Sequence, residues 1–120
     1  MRAQQVHFRV DLAIHEGKLA AFEETVKAMI SGCLKEPGAL GYEWYLSKDR
    51  TRCRLLETYA DANAAVAHMN GAVVQQLVPK LLESSSITGF EVYGDPGATA
   101  TEKLEAFGAQ IFPHWQGLGK

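Results

Sequence analysis

From Val6 to Leu12 the chain alternates strictly, with Val6, Phe8, Val10 and Leu12 apolar and His7, Arg9 and Asp11 between them. A period of two sends successive side chains to opposite faces, so this stretch predicts a strand with one apolar face. The period then lengthens. From about Glu16 to Lys35 the positions Leu19, Phe22, Val26, Met29, Ile30 and Cys33 recur every three or four residues, which predicts a helix with one apolar side. The segment "KEPGALG" stops it, because Pro37 and Gly38 disfavour continuation and permit a turn.

"ALGYEWYLSKDRTRCRLLETYAD" predicts two strands with a reversal at "SKDRT". On the first, Leu40, Tyr42, Trp44 and Leu46 share one face, and Glu43, Tyr45 and Ser47 the other. On the second, Cys53, Leu55, Glu57 and Tyr59 alternate with Arg52, Arg54, Leu56 and Thr58, so both faces carry apolar material. Asp61 is placed to cap a helix that begins near Ala62 and buries Ala62, Ala65, Val66 and Met69. Asn70 and Gly71 loosen that helix, and the period resumes through Val73, Val74, Leu77, Val78, Leu81 and Leu82, with Pro79 marking a kink or a new helical segment. "SITGFEVYGDPG" predicts a fourth strand. A short helix from Thr101 to Phe107 and an apolar tail, "AQIFPHWQGLG", follow.

Strand, helix, strand, strand, helix, strand is the order of an α+β, ferredoxin-like βαββαβ domain, an antiparallel sheet with two helices on one side. The expected division is a domain over 1–95 and a C-terminal extension over 96–120 that packs on a dimer. Tyr45, Leu56 and Tyr93 fall near the face of the sheet opposite the helices, and large side chains there predict a homodimer in which two sheet faces pack together. The tail after Asp95 is expected to add a strand or an arm across that interface.

Composition narrows the partners. Twelve Lys plus Arg against fourteen Asp plus Glu leave a formal charge of -2 in 120 residues, which gives no pull toward nucleic acid or an anionic membrane. An apolar content of 47% suffices for a core without staples. Cys33 and Cys53 form no CxxC pair and are expected to be reduced core thiols. The start "MRAQQVHFRVDL" lacks the long apolar segment of a signal peptide or membrane span, so a cytoplasmic location is expected. No Gly-rich phosphate loop follows a strand, and His7 and His15 make no metal cluster.

"EPGALGYEWYLSKD" followed by "RLLETYADANAAVAHMN" resembles the antibiotic biosynthesis monooxygenase family, whose domains form dimeric α+β barrels. The positions that carry the resemblance are Pro37 and Gly38, Glu57, Tyr59, Asp61 and His68, and it runs over residues 4 to 94. "GFEVYGDP" is similar to the fourth strand of a quinol monooxygenase-like subgroup. The resemblance implies a cofactor-independent monooxygenase that oxidises a small aromatic or quinol substrate with dioxygen, with no cofactor and no metal. Relatives of this fold also include isomerases, haem-degrading enzymes and proteins with no known reaction, so fold alone does not select the activity.

Oxygenation without flavin or metal requires an electron-rich phenol or quinol, a base to deprotonate it, and donors aimed at the developing oxygen charge. His68 is the candidate base, since an unperturbed imidazole titrates near ~6.5; the alternative is a structural histidine at the helix edge. Glu57 faces the helices and can orient His68 or bind a substrate hydroxyl, or instead pair with an arginine or cap backbone groups. Tyr42 and Trp44 are candidates to stack on a flat substrate, or are core aromatics. Tyr59 and Asn63 complete the candidate substrate-binding set, with local capping or exposure the other reading of Asn63. Two further functions stay open: a non-oxygenase enzyme of the same fold that moves a proton without dioxygen, and a non-catalytic small-molecule-binding dimer.

Overall fold

A computed structural model describes residues 4–119. Five strands form one sheet in the order β2-β3-β1-β4-β5. The strands are β1 (Val6–Ile14), β2 (Ala39–Leu46), β3 (Arg52–Tyr59), β4 (Ser85–Tyr93) and β5 (Gln110–Phe112). The helices are α1 (Leu19–Cys33), α2 (Ala62–Asn70), α3 (Val78–Leu81) and α4 (Ala98–Ala106), with a π-helical turn at Val73–Leu77 between α2 and α3. The first four strands, antiparallel to one another, and their crossover helices make the ferredoxin-like arrangement; β5 adds to β4 in parallel. Within the chain the sheet is open, with β2 and β5 at its edges, so the chain alone is not a closed barrel.

The alternation read in β1 is the alternation found: Val6, Phe8, Val10 and Leu12 are all buried. On β3 the buried set is Cys53, Leu55, Glu57 and Tyr59, so the period of two carries Glu57 into the core along with its apolar neighbours. Two packed clusters fill the space under the helices. One joins Val10, Leu12 and Leu55 to Phe22 and Met29 of α1 and to Val73 and Leu81. The other joins Val6, Phe8, Tyr59 and Val92 to Ala65 of α2 and to Ala100 and Leu104 of α4.

Several sequence expectations shift in detail. Leu40 leaves the face shared by Tyr42 and Trp44 and is exposed, because a bulge between Ala39 and Gly41 inserts one residue opposite Tyr59 and Thr58. The same bulge sets Tyr42 directly opposite Glu57. Ile30 is exposed and Thr25 takes a buried place on α1. The last helix starts at Ala98, three residues earlier than its apolar spacing suggested. Asp61 caps α2 as expected, its side chain accepting from the Ala64 N–H at 2.8 Å. The break at Asn70 and Gly71 ends α2, and Pro79 stands in the first turn of α3, where its missing N–H costs nothing.

Two glycines permit the close approach of elements. A Cβ on Gly38 would lie 2.3 Å from Ala64 Cβ, so only glycine lets the turn before β2 touch the start of α2. A Cβ on Gly32 would lie 2.6 Å from Val73 Cγ2, so α1 and the π-helical turn pack in the same way.

The outer face of the sheet mixes exposed Tyr45 and Leu56 with paired charges. Arg54 donates to Asp11 at 2.6 Å, and Arg9 bridges Asp11 at 3.4 Å and Glu91 at 3.7 Å. The tail turns back through Gly94, whose N–H donates to the Phe112 carbonyl at 2.9 Å, and so places β5 on this chain's own sheet. Beyond it, Trp115 and Leu118 are exposed. No helix among the described residues is long and apolar enough to cross a membrane.

Candidate functional site

Between sheet and helices lies a cavity of about 310 Å³. Its floor is made by β1 and β4 residues such as Phe8, Val10 and Phe90. One wall comes from the α2 end and the π-helical turn, through Met69, Val74 and Gln75, and the facing wall from Leu104 and Phe107. Insertion of a π turn widens the helix locally, a device that recurs at functional sites. A wider depression beside Ser85 to Phe90 carries no ionisable side chain among its lining residues.

Tyr42, Glu57 and His68 line the cavity together. Glu57 is 5% exposed and His68 3%. His68 reaches this place because α2 buries the positions of Ala65 and His68, three residues apart and therefore on one side of the helix. Its ring packs 4.9 Å from the Tyr59 ring and 5.8 Å from the Tyr42 ring. The imidazole lies between two carboxyl groups: Nδ1 is 2.7 Å from Glu36 Oε1 and Nε2 is 3.4 Å from Glu57 Oε1. Donation from Nδ1–H to Glu36 leaves the Nε2 lone pair facing Glu57.

Burial pushes the Glu57 carboxyl up to about 8; a hydrogen bond donated by the Tyr59 hydroxyl opposes the rise and the nearby Glu36 charge adds to it. Glu57 is therefore largely neutral at pH 7, and its 3.4 Å contact with His68 is not an ion pair. Burial, with the Glu57 charge second, also lifts the Tyr42 and Tyr59 phenols well above the usual tyrosine range, so both hydroxyls stay donors. Cys33 donates its thiol to Glu36 Oε1 at 4.0 Å, and burial holds that thiol up at about 12. Cys33, Glu36 and His68 bring three donor atoms within 4.8 Å of one another; in this structure those donors satisfy each other.

The six candidate residues have different places. Tyr42, Glu57 and His68 are on the cavity wall. Tyr59 stands behind it, fully buried, with its hydroxyl on Glu57. Trp44 packs edge-on against Phe22 and Tyr42, at 6.3 and 5.6 Å, outside the cavity lining, and its buried Nε1 has no hydrogen-bond partner among the described residues. Asn63 is exposed on α2 and is not brought to the cavity. The helix turns about 100° per residue, so a residue five places before His68 points well away from it. Glu36 was not foreseen. It lies in the turn after α1, and nothing local ties it to a histidine 32 residues later.

A model of the antibiotic biosynthesis monooxygenase family matches residues 6–80, more than half the chain. Solved structures of similar fold include MupZ from Pseudomonas fluorescens, 24% identical with a TM-score of 0.84, covering 98% of this chain and 95% of that one. SnoaB, a cofactor-independent oxygenase from Streptomyces nogalater, is 14% identical with a TM-score of 0.68 and covers 79% of this chain and 96% of its own. A conserved protein from Methanosarcina mazei Go1 is 18% identical with a TM-score of 0.68, over 77% of this chain and 94% of its own. At these identities the likeness is one of fold. The MupZ likeness takes in the C-terminal extension as well. No curated protein matches the sequence.

Proposed function

Since the chain belongs to the antibiotic biosynthesis monooxygenase family, we propose that it oxidises a small aromatic phenol or quinol with dioxygen, without flavin or metal. The observation that carries this reading is the placement of Glu57 and His68 together on the wall of a cavity lined mostly by apolar side chains. The existence of a cofactor-independent oxygenase on the same fold supports it.

The His68–Glu57 pair takes the phenolic proton, and the apolar walls keep water from the anion formed. That anion passes one electron to dioxygen, giving a substrate radical and superoxide. The two combine through a carbon–oxygen bond, and loss of water from the resulting hydroperoxide leaves the ring carbon as a carbonyl. One dioxygen thus supplies one product oxygen and one water, and the substrate provides all the electrons. Tyr42, held as a donor, can hydrogen-bond to the oxygen where charge develops.

The chain acts as a homodimer through its outer sheet face, where Tyr45 and Leu56 are exposed. Its place is the cytoplasm, where Cys33 and Cys53 remain thiols. The test is oxygen uptake with a panel of naphthoquinols and anthrones, before and after chelator treatment. Uptake that survives chelation and is lost in His68→Ala is expected; no uptake across the panel would refute the reading.

A second reading has its own observation. A carboxyl kept neutral to about 8 beside an imidazole gives the site an acid and a base 3.4 Å apart, which suits proton transfer without dioxygen. Turnover under strict anaerobiosis would decide for it.

A further inference from the structure

Part of the cavity wall comes from outside the family-matched segment. Lys103, Leu104 and Phe107 line the cavity, whereas the match ends at residue 80. The lining residues also divide by exposure. Phe8, Leu55, Glu57 and His68 are buried, whereas Asn70, Gln75, Lys103 and Phe107 are exposed. The cavity therefore opens between the end of α2 and α4, and its acid–base pair lies inward of that opening.

The charges at the two places differ. Lys103 is the one lysine or arginine among the lining residues, and it makes no ion pair among the described residues. The one lining carboxyl is Glu57, which is buried. At the rim, the Gln75 amide is already committed to the Met69 carbonyl at 3.0 Å. An ammonium at the edge of an apolar opening, with no carboxylate paired to it, favours an anion there. Its long stem also lets the charged end stay at the surface while its methylenes rest on the wall.

We propose that the site takes an apolar aromatic body bearing a carboxylate, with the carboxylate held by Lys103 at the opening and the ring lying inward beside Phe107, against the cavity face of the sheet. The inference rests on the proposed function only for the inward end, where the ligand hydroxyl meets Glu57 and His68. The C-terminal helix, rather than the family core, then sets which ligands enter.

Isothermal titration of the full chain with 6-hydroxy-2-naphthoate, whose hydroxyl and carboxylate lie at opposite ends of the ring system, and with 2-naphthol tests this without reading turnover. The acid is expected to bind about two- to fivefold more tightly, the size of one solvent-exposed charge pair. Lys103→Met, which keeps the stem and removes the charge at an exposed position, is expected to abolish that preference and leave 2-naphthol binding unchanged. Phe107→Ala is expected to weaken both ligands. Equal binding of the two by the parent chain, a preference that survives Lys103→Met, or binding of neither ligand overturns the inference. A chain that shows the preference but consumes no oxygen with any quinol leaves the inference standing and removes the oxygenase reading alone.

Discussion

Glu57 and Asp11 belong to adjacent strands of one sheet, β3 and β1, but to opposite faces, and their chemistry diverges for that reason. On the outer face, desolvation raises Asp11, but the hydrogen bond and charge of Arg54, with Arg9 behind it, outweigh this and hold the carboxyl below its ordinary range. On the inner face, no arginine or lysine pairs with Glu57 among the described residues, and burial lifts it to about 8. The outer carboxylate is neutralised by a guanidinium, whereas the inner one is neutralised by keeping its proton. A carboxyl kept neutral in an apolar cavity is destabilising to the fold once it ionises, and such a cost is commonly met at functional sites.

The largest expected effect separates the two faces by activity. Glu57→Gln, which keeps the shape and removes the titratable proton, is expected to lower oxygen uptake about 10²-fold or more. Asp11→Asn should leave uptake unchanged; equal losses in both variants would erase the distinction. Next in size is assembly. Tyr45→Lys combined with Leu56→Asp places charge on the outer face, and sedimentation at micromolar concentration is expected to show a dimer become a monomer. A parent chain that already sediments as a monomer contradicts the outer-face interface.

The two carboxyls also predict opposite pH behaviour. Glu57 titrates near 4.5 when unfolded and about 8 when folded. Its contribution to stability is complete below 4.5 and is lost as pH rises toward 8, because the unfolded chain releases the proton first. The melting temperature of the parent chain should therefore fall from pH 5 to 8 relative to Glu57→Gln, and parallel curves would show that Glu57 is already ionised in the fold. Asp11 works in the other direction, with its lowered value giving stability that fades as acid protonates it. The smallest effect follows: Asp11→Asn is expected to cost about 0.5–1 kcal/mol in denaturant titration, since solvent screens an exposed pair.

Much of this was legible along the chain. Period-two alternation places Glu57 inward through Leu55 and Tyr59, and places Tyr45 and Leu56 outward. Helical spacing gives α1 and α2, and the Asp61 cap fixes where α2 starts. What escaped has identifiable causes. The bulge near Ala39 moved Leu40 without changing any residue type. Glu36 meets His68 only because the fold brings the turn after α1 beside α2, a tertiary pairing with no local periodicity. The wall role of Lys103 and Phe107 depends on where the extension docks, and a nine-residue helix with two buried residues carries little record of its neighbours.

Glu36 has one more consequence. Its side chain is 24% exposed while the His68 ring it holds is 4% exposed. A proton taken from a bound ligand at Nε2 can be matched by one released from Nδ1 to Glu36, and from there to solvent. On the proposed reading, ligand and proton use separate doors: one between α2 and α4, the other beside the turn after α1. In the proposed oxygenation, the acid leaves beside the turn after α1 while the anion remains at the inward end of the cavity.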